Sequence, residues 1–238
     1  MTKSSKLVVL ATAVAVLPLI ASNQAISKPS ERNTVAGRQG AWHNAAQGSP
    51  SLADCERKVK ASPQDASANN DLGWAYRQHG DLAQAEHYLR AAIKLKPDLP
   101  QAHSNLSVVL FDRGAFAEAT AEARKAVDLD GKNPVYRVVL GNALSSGGNL
   151  KAAIQEYRTA VELKSDYENA LYNLGRTLAQ NGQTSEAKII LSQALRYDAT
   201  DSRVLELLDH LAGDSVGGGT PQASTPPAAG APSAKPAL

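Results

Sequence analysis

The sequence predicts an all-α protein: a right-handed α-solenoid of four helix-turn-helix units, finished by a C-terminal capping helix. Three observations carry this expectation. From Ala66 to Asp201 the chain repeats every 34 residues without slippage, so that Leu72, Leu106, Leu140 and Leu174 form one column. Gly80, Gly114, Gly148 and Gly182 break each unit at the same place, between two stretches whose apolar residues recur at helical spacing. Small residues also keep fixed columns: Gly73, Ser107, Gly141 and Gly175 directly after the leucines, then Ala85, Ala119, Ala153 and Ala187, then Ala92, Ala126, Ala160 and Ala194. A constant period of this length means a stack of like units, each burying its apolar face against the next.

The four units span residues 66–99, 100–133, 134–167 and 168–201. In the first, the helical stretches are Ala66 to Gln78 and Leu82 to Lys96. Gly80 suits a left-handed turn position, and Asp81 is placed to cap the second helix; Asn149 holds that position in the third unit. The Gly73 column lets the first helix approach the second, and the Ala85 column marks their crossing. Leu89, Tyr88, Tyr157 and Leu191 fill the remaining space. Residues 50–65 read as a further short helix, Ser51 to Ala61, with Pro50 in its first turn and Pro63 closing it. Pro63 lies one period before Pro97, which makes this segment a candidate half-repeat. Residues 202–212 (SRVLELLDHL and a following Ala) are amphipathic and suit a cap over the open face of the last unit.

The flanks differ in kind. Lys3 and Lys6 precede an uncharged run from Leu7 to Ile20, followed by small and polar residues to Ala25. This is the layout of a secretory signal peptide over 1–25, with cleavage expected after Ala25. The alternative is an uncleaved anchor over residues 7–25, although the apolar run is shorter than the roughly 20 residues a bilayer span requires. Residues 26–49 and 213–238 are expected to be disordered; the latter is rich in Gly, Ala, Pro and Ser.

Composition excludes several functions. Lys and Arg number 25 against 23 Asp and Glu, so no strong field favours nucleic acid. Membrane contact is expected only through an uncleaved N-terminal anchor. The single cysteine, Cys55, forbids an internal disulfide; it reads as a small apolar residue of the short helix or as a link to another chain. The five histidines (His43, His79, His87, His103 and His210) form no zinc-binding spacing. No phosphate-cradling loop or nucleophile–base set stands out, so neither catalysis, a metal nor a cofactor is expected.

The repeat segments carry a family resemblance. First helices read NNDLGWAY, SNLSVVL, VVLGNAL and YNLGRTL; second helices read AEHYLRAAIKLKPD, AEARKAVDLD, AAIQEYRTAVELK and AKIILSQALRYD. The pattern resembles the tetratricopeptide repeat, with Leu-Gly in the first helix, Ala and a large residue in the second, Ala again, then Pro. Asn69, His103, Arg137 and Leu171 stand where the family has Trp; the Tyr survives only at Tyr76 and the closing Pro only at Pro97.

The resemblance implies a concave face built from the first helices and a protein or peptide partner held there. Residues flanking the Leu-Gly pair are expected to face inward: Asn70, Asp71 and Trp74, with Arg77 a turn further on; Ser104, Asn105 and Val108, with Phe111; Val138, Val139 and Asn142; and Tyr172, Asn173 and Arg176. Some members of the family hold peptide backbone with an asparagine column at the position of Asp71, Asn105, Val139 and Asn173, which here covers only Asn105 and Asn173. Both are expected to point away from helix–helix contacts. The reading is of an exported, periplasmic or secreted, non-catalytic adaptor. The alternatives are a self-associating structural protein, joined through repeat ends or Cys55, and an accessory subunit of an envelope enzyme complex.

Overall fold

The computed structural model describes residues 50–216. The expected signal peptide over 1–25, the linker expected over 26–49 and the part of the expected tail from 217 lie outside the described residues. Those described form ten α-helices and no strand: α1 (Leu52–Ala61), α2 (Ala66–Gln78), α3 (Leu82–Leu95), α4 (Pro100–Asp112), α5 (Phe116–Leu129), α6 (Pro134–Ser146), α7 (Leu150–Leu163), α8 (Glu168–Gln180), α9 (Thr184–Ala194) and α10 (Ser202–Val216). Four antiparallel pairs, α2–α3, α4–α5, α6–α7 and α8–α9, stack in chain order. First helices of successive pairs touch one another, whereas second helices of successive pairs do not. The first helices therefore line the inside of the stack and the second helices its outside.

The turns within units obey local chemistry. Gly80, Gly114, Gly148 and Gly182 all sit at positive φ, between 78° and 84°, where a side chain would strain the backbone. Asp81 accepts from the Gln84 amide at 3.0 Å, and Asn149 from the Ala152 amide at 3.3 Å, satisfying donors that a helix start leaves open. Ser51 caps α1 through its hydroxyl, so Pro50 lies before the cap instead of inside the first turn.

The crossing within each pair explains both the Gly73 column and its exception. A Cβ at Gly73 would stand 2.7 Å from Leu89 Cγ, one at Gly141 2.6 Å from Tyr157 Cε1, and one at Gly175 2.6 Å from Leu191 Cγ. The second unit has Ser107, and the residue one period from Leu89 and Tyr157 is Ala123. A small residue on the second helix leaves room for a larger one on the first. Leu89, Ala123, Tyr157 and Leu191 are all fully buried, and each of the larger ones contributes roughly 1.5–3 kcal/mol through burial. Cys55 occupies the same column one period earlier and is equally buried, with α1 packed on α2 as a preceding second helix would be. Burial pushes the Cys55 thiol above its ordinary value. It behaves as core, and nothing in its position suits a link to another chain.

A second periodic device replaces the family's Trp. Asn69 Nδ2 donates to the carbonyls of Pro63 (3.0 Å) and Asp65 (2.8 Å). His103 faces the Pro97 carbonyl with Nε2 (2.8 Å) and Glu122 with Nδ1 (2.7 Å). Arg137 donates to the Gly131 carbonyl (3.2 Å) and to Glu156 (2.8 Å). In three units a polar side chain thus ties its first helix to the loop six residues earlier; in two it also reaches the second helix. Leu171 ends the series as a fully buried apolar residue.

α10 covers the last pair, burying Val204 and Leu211 against it. It runs to Val216, past the expected end at 212. Residues 213–216, expected to belong to the disordered tail, are therefore helical: an isolated glycine inside a helix costs only about 1 kcal/mol, and the helix continues through Gly213. Among the described residues no helix is long and apolar enough to cross a membrane.

Candidate functional site

The inward face of α2, α4, α6 and α8 carries every residue the sequence points to, but these residues divide into two groups. Asn70, Trp74, Arg77, Asn105, Asn142 and Asn173 are buried. Asp71, Phe111, Tyr172 and Arg176 remain half-exposed. The middle of the face also buries Val108, Val138 and Val139, beside Ser104, Asn105 and Asn142.

Much of the buried polar set is spent on joining units. Asn105 Nδ2 donates to Asn70 Oδ1 at 2.9 Å, bridging α4 to α2, and Asn70 Nδ2 in turn donates to Asp71 Oδ1 at 3.3 Å. This corrects the expectation that Asn105 points away from helix contacts. One helix turn on, Arg77 Nε donates to Asp112 Oδ2 at 2.7 Å, and its guanidinium lies 4.7 Å from the centre of the Trp74 ring. The Asn142 carbonyl accepts the Tyr157 hydroxyl at 2.7 Å inside the third unit. Burial drives the Tyr157 phenol far above its ordinary value, partly offset by the positive charge of nearby Arg176. Phe111 packs edge-on to Phe116, with ring centres 5.5 Å apart.

The fourth unit is arranged differently. The partner position that Asn70 supplies to Asn105 is Val138 for Asn173, and valine offers no hydrogen bond. Asn173 is only 3% exposed, and its carbonyl oxygen has no protein partner. The Arg176 Nε is likewise buried without an acceptor. Tyr172 lies between two guanidinium groups, 4.7 Å from Arg203 and 5.9 Å from Arg176. Arg203, from the cap, is paired twice with Asp201, Nη2 to Oδ2 at 2.6 Å and Nε to Oδ1 at 3.0 Å.

Two contributors were missed from sequence. Asp112 is outside the columns flanking Leu-Gly, and Arg203 belongs to a helix read only as a lid. A usable signal existed for Arg203: it lies one period after Asn169, whose side-chain oxygen it approaches at 3.4 Å.

Comparison with known proteins agrees with this architecture. Family models of the tetratricopeptide repeat match residues 56–134 and 168–201, and a TPR repeat model matches 141–182. No curated protein matches the chain in sequence. Among solved structures, YrrB, described as a TPR protein with an unusual peptide-binding site, is 18% identical, with 70% of this chain and 86% of that chain covered and a TM-score of 0.58. MamA is 20% identical over 64% of this chain and 89% of its own, with a TM-score of 0.57. PilF of Pseudomonas aeruginosa is 26% identical over 63% and 69%, with a TM-score of 0.59. The period, the paired helices, the glycine turns and these matches agree: the chain is a tetratricopeptide-repeat protein.

Proposed function

We propose that this protein is an exported, non-catalytic scaffold that receives an extended segment of a partner protein along its first-helix face, in the service of an envelope assembly. The observation that carries the reading is the state of that face. It is continuous over four units, its centre carries Val108, Val138 and Val139, and polar capacity is left unspent at its fourth unit. Half-exposed Phe111 and Tyr172 offer aromatic anchors of the kind that dominate binding hot spots. Asp71 and Asn173 sit in the column from which a side chain can pair with peptide backbone. YrrB, of similar fold, is described as having a peptide-binding site, which supports the reading by analogy of fold. The N-terminal layout of Lys3, Lys6, the apolar run and the small-residue exit supports export.

Site-directed photocrosslinking in the native host tests the reading. A photoreactive residue in place of Phe111 or Tyr172 should trap partner proteins, and one in place of exposed Gln155 on α7 should not. Equal crosslinking from both faces would refute a groove. N-terminal sequencing of the purified protein should begin near Ile26; a chain that starts at Met1 and resists carbonate extraction would establish an anchor instead.

A further inference from the structure

The fourth unit holds a positive charge that the protein does not neutralise. Among the described residues five arginines are buried or half-buried: Arg77, Arg137, Arg158, Arg176 and Arg203. Four lie against carboxylates, namely Asp112, Glu156, Glu186 and Asp201, at 2.6 to 2.8 Å. Arg176 is the exception and has no carboxylate within ion-pair reach among the described residues. Burying part of a guanidinium without an anion is unfavourable, and charges so placed are normally paired. The neighbours do not supply the missing anion. Arg203 is already matched by Asp201, the Tyr157 hydroxyl lies within hydrogen-bond reach of Arg176 but is neutral and gives its proton to Asn142, and Thr177 beside it is neutral and fully buried.

The second observation is independent of charge. Three residues before Arg176 on α8, the Asn173 carbonyl is buried and unpartnered, because Val138 stands where Asn70 serves Asn105. Tyr172 is held beside them by stacking under Arg203. One turn of helix therefore carries a guanidinium with no carboxylate partner, an amide oxygen with no donor and an aromatic ring. A guanidinium forks onto a carboxylate, an amide pairs with peptide N–H or C=O, and a phenol ring gives apolar contact.

We infer that Arg176 is the specificity determinant of the groove: it selects segments that place an aspartate or glutamate side chain against α8, while Asn173 takes the adjacent peptide backbone. This rests on the groove reading above, and it specifies which segments the groove accepts. At the other end the corresponding positions are neutral or already spent, since Trp74 replaces Arg176 and Arg77 is committed to Asp112. The acidic residue therefore lies at the fourth-unit end of a bound segment.

The test is a random-peptide library displayed on filamentous phage and panned against the full chain. Each peptide is joined to the coat protein at its C-terminus, so carboxylates come only from side chains. The parent should enrich peptides with Asp or Glu at one fixed position. Arg176→Gln should enrich peptides without that position, and Arg176→Lys should retain it. Replacing the acidic residue of a selected synthetic peptide by its amide should weaken binding to the parent roughly tenfold or more, the scale of one hydrogen bond to a charged group. The same replacement should leave binding to Arg176→Gln unchanged. If Arg176→Gln lowers the melting temperature, the peptide substitution carries the test alone. Peptides that bind with no acidic preference, or keep it with Arg176→Gln, overturn this inference and leave the groove standing. Peptides that bind Phe111→Asp as well as the parent, or no enrichment at all, overturn the groove reading and this inference with it.

Discussion

The contact between Gly141 and Tyr157 can be inverted experimentally, because the second unit already contains its mirror image. There Ser107 faces Ala123, whereas the third unit sets Gly141 against Tyr157. A Cβ at Gly141 would meet ring atoms of Tyr157 at 2.6 to 2.9 Å, well inside the roughly 3.5–4.0 Å of relaxed carbon contacts. The ring cannot swing aside freely, for it is fully buried and its hydroxyl is held by Asn142 at 2.7 Å. Gly141→Ser should therefore incur about 1–3 kcal/mol of overpacking, against a helix-propensity gain of roughly 0.5 kcal/mol. Tyr157→Ala should cost about 3–5 kcal/mol, the range for deleting a buried aromatic. In the Tyr157→Ala background the obstruction is gone, so adding Gly141→Ser should cost nothing or recover a few tenths of a kcal/mol. Urea unfolding followed by helical circular dichroism measures all four corners of this cycle, and the coupling should be about 1–3 kcal/mol. Gly213→Ala supplies the control: it sits in α10 with no atom within 4 Å of the added methyl, and should be neutral or stabilising by up to about 1 kcal/mol. If Gly141→Ser destabilises both backgrounds equally, the size exchange between columns is not the reason for the glycine.

Three further outcomes follow from the same structure. Ala153→Leu, at a fully buried crossing position, should destabilise by about 1–3 kcal/mol, while Gln155→Leu on the exposed face should leave the melting temperature nearly unchanged. Asn105→Ala should destabilise by roughly 1–3 kcal/mol, because it strands the buried Asn70 carbonyl; unaltered stability would mean the bridge between α2 and α4 carries nothing. Burial works to raise the Glu122 carboxyl, but His103 and Lys125 more than offset this and hold it below its ordinary 4.5. A depressed folded-state value gives stability that is present above the unfolded value and lost as pH falls through the folded one. The stability difference between the parent and Glu122→Gln, measured by thermal melts, should therefore shrink below about pH 4.5.

The fold was legible because its determinants are periodic. Leu72, Gly73 and Gly80 each recur at a fixed interval, and every recurrence marks a steric need that repeats with the unit. Even the exception at Ser107 was on view in the sequence, since Ala123 departs from its own column in the same unit. What could not be read was the use to which polar residues are put. Asn105 and Asn173 share a column and a side chain, yet one bridges two helices and the other has no partner for its carbonyl. The difference lies in Asn70 against Val138, one unit back and one position over.

That dependence on a neighbour explains why site residues resist column-by-column reading in a solenoid. A packing residue answers to its own pair of helices, so its column predicts its role. A residue on the inner face answers to the adjacent unit, whose sequence varies independently, so the same residue type serves cohesion at one end and is left available at the other. The polar set reflects this division. In the first two units Asn70, Asn105, Arg77 and Asp112 satisfy one another and bind the stack together. In the fourth unit the preceding first helix presents Val138 and Val139, so the Asn173 carbonyl finds no donor there and Arg176 no carboxylate. A solenoid whose inner face were polar for cohesion alone would close such positions with apolar residues, as Leu171 does on the neighbouring column. Their retention beside Tyr172 is what makes the fourth unit the end of the face to probe first.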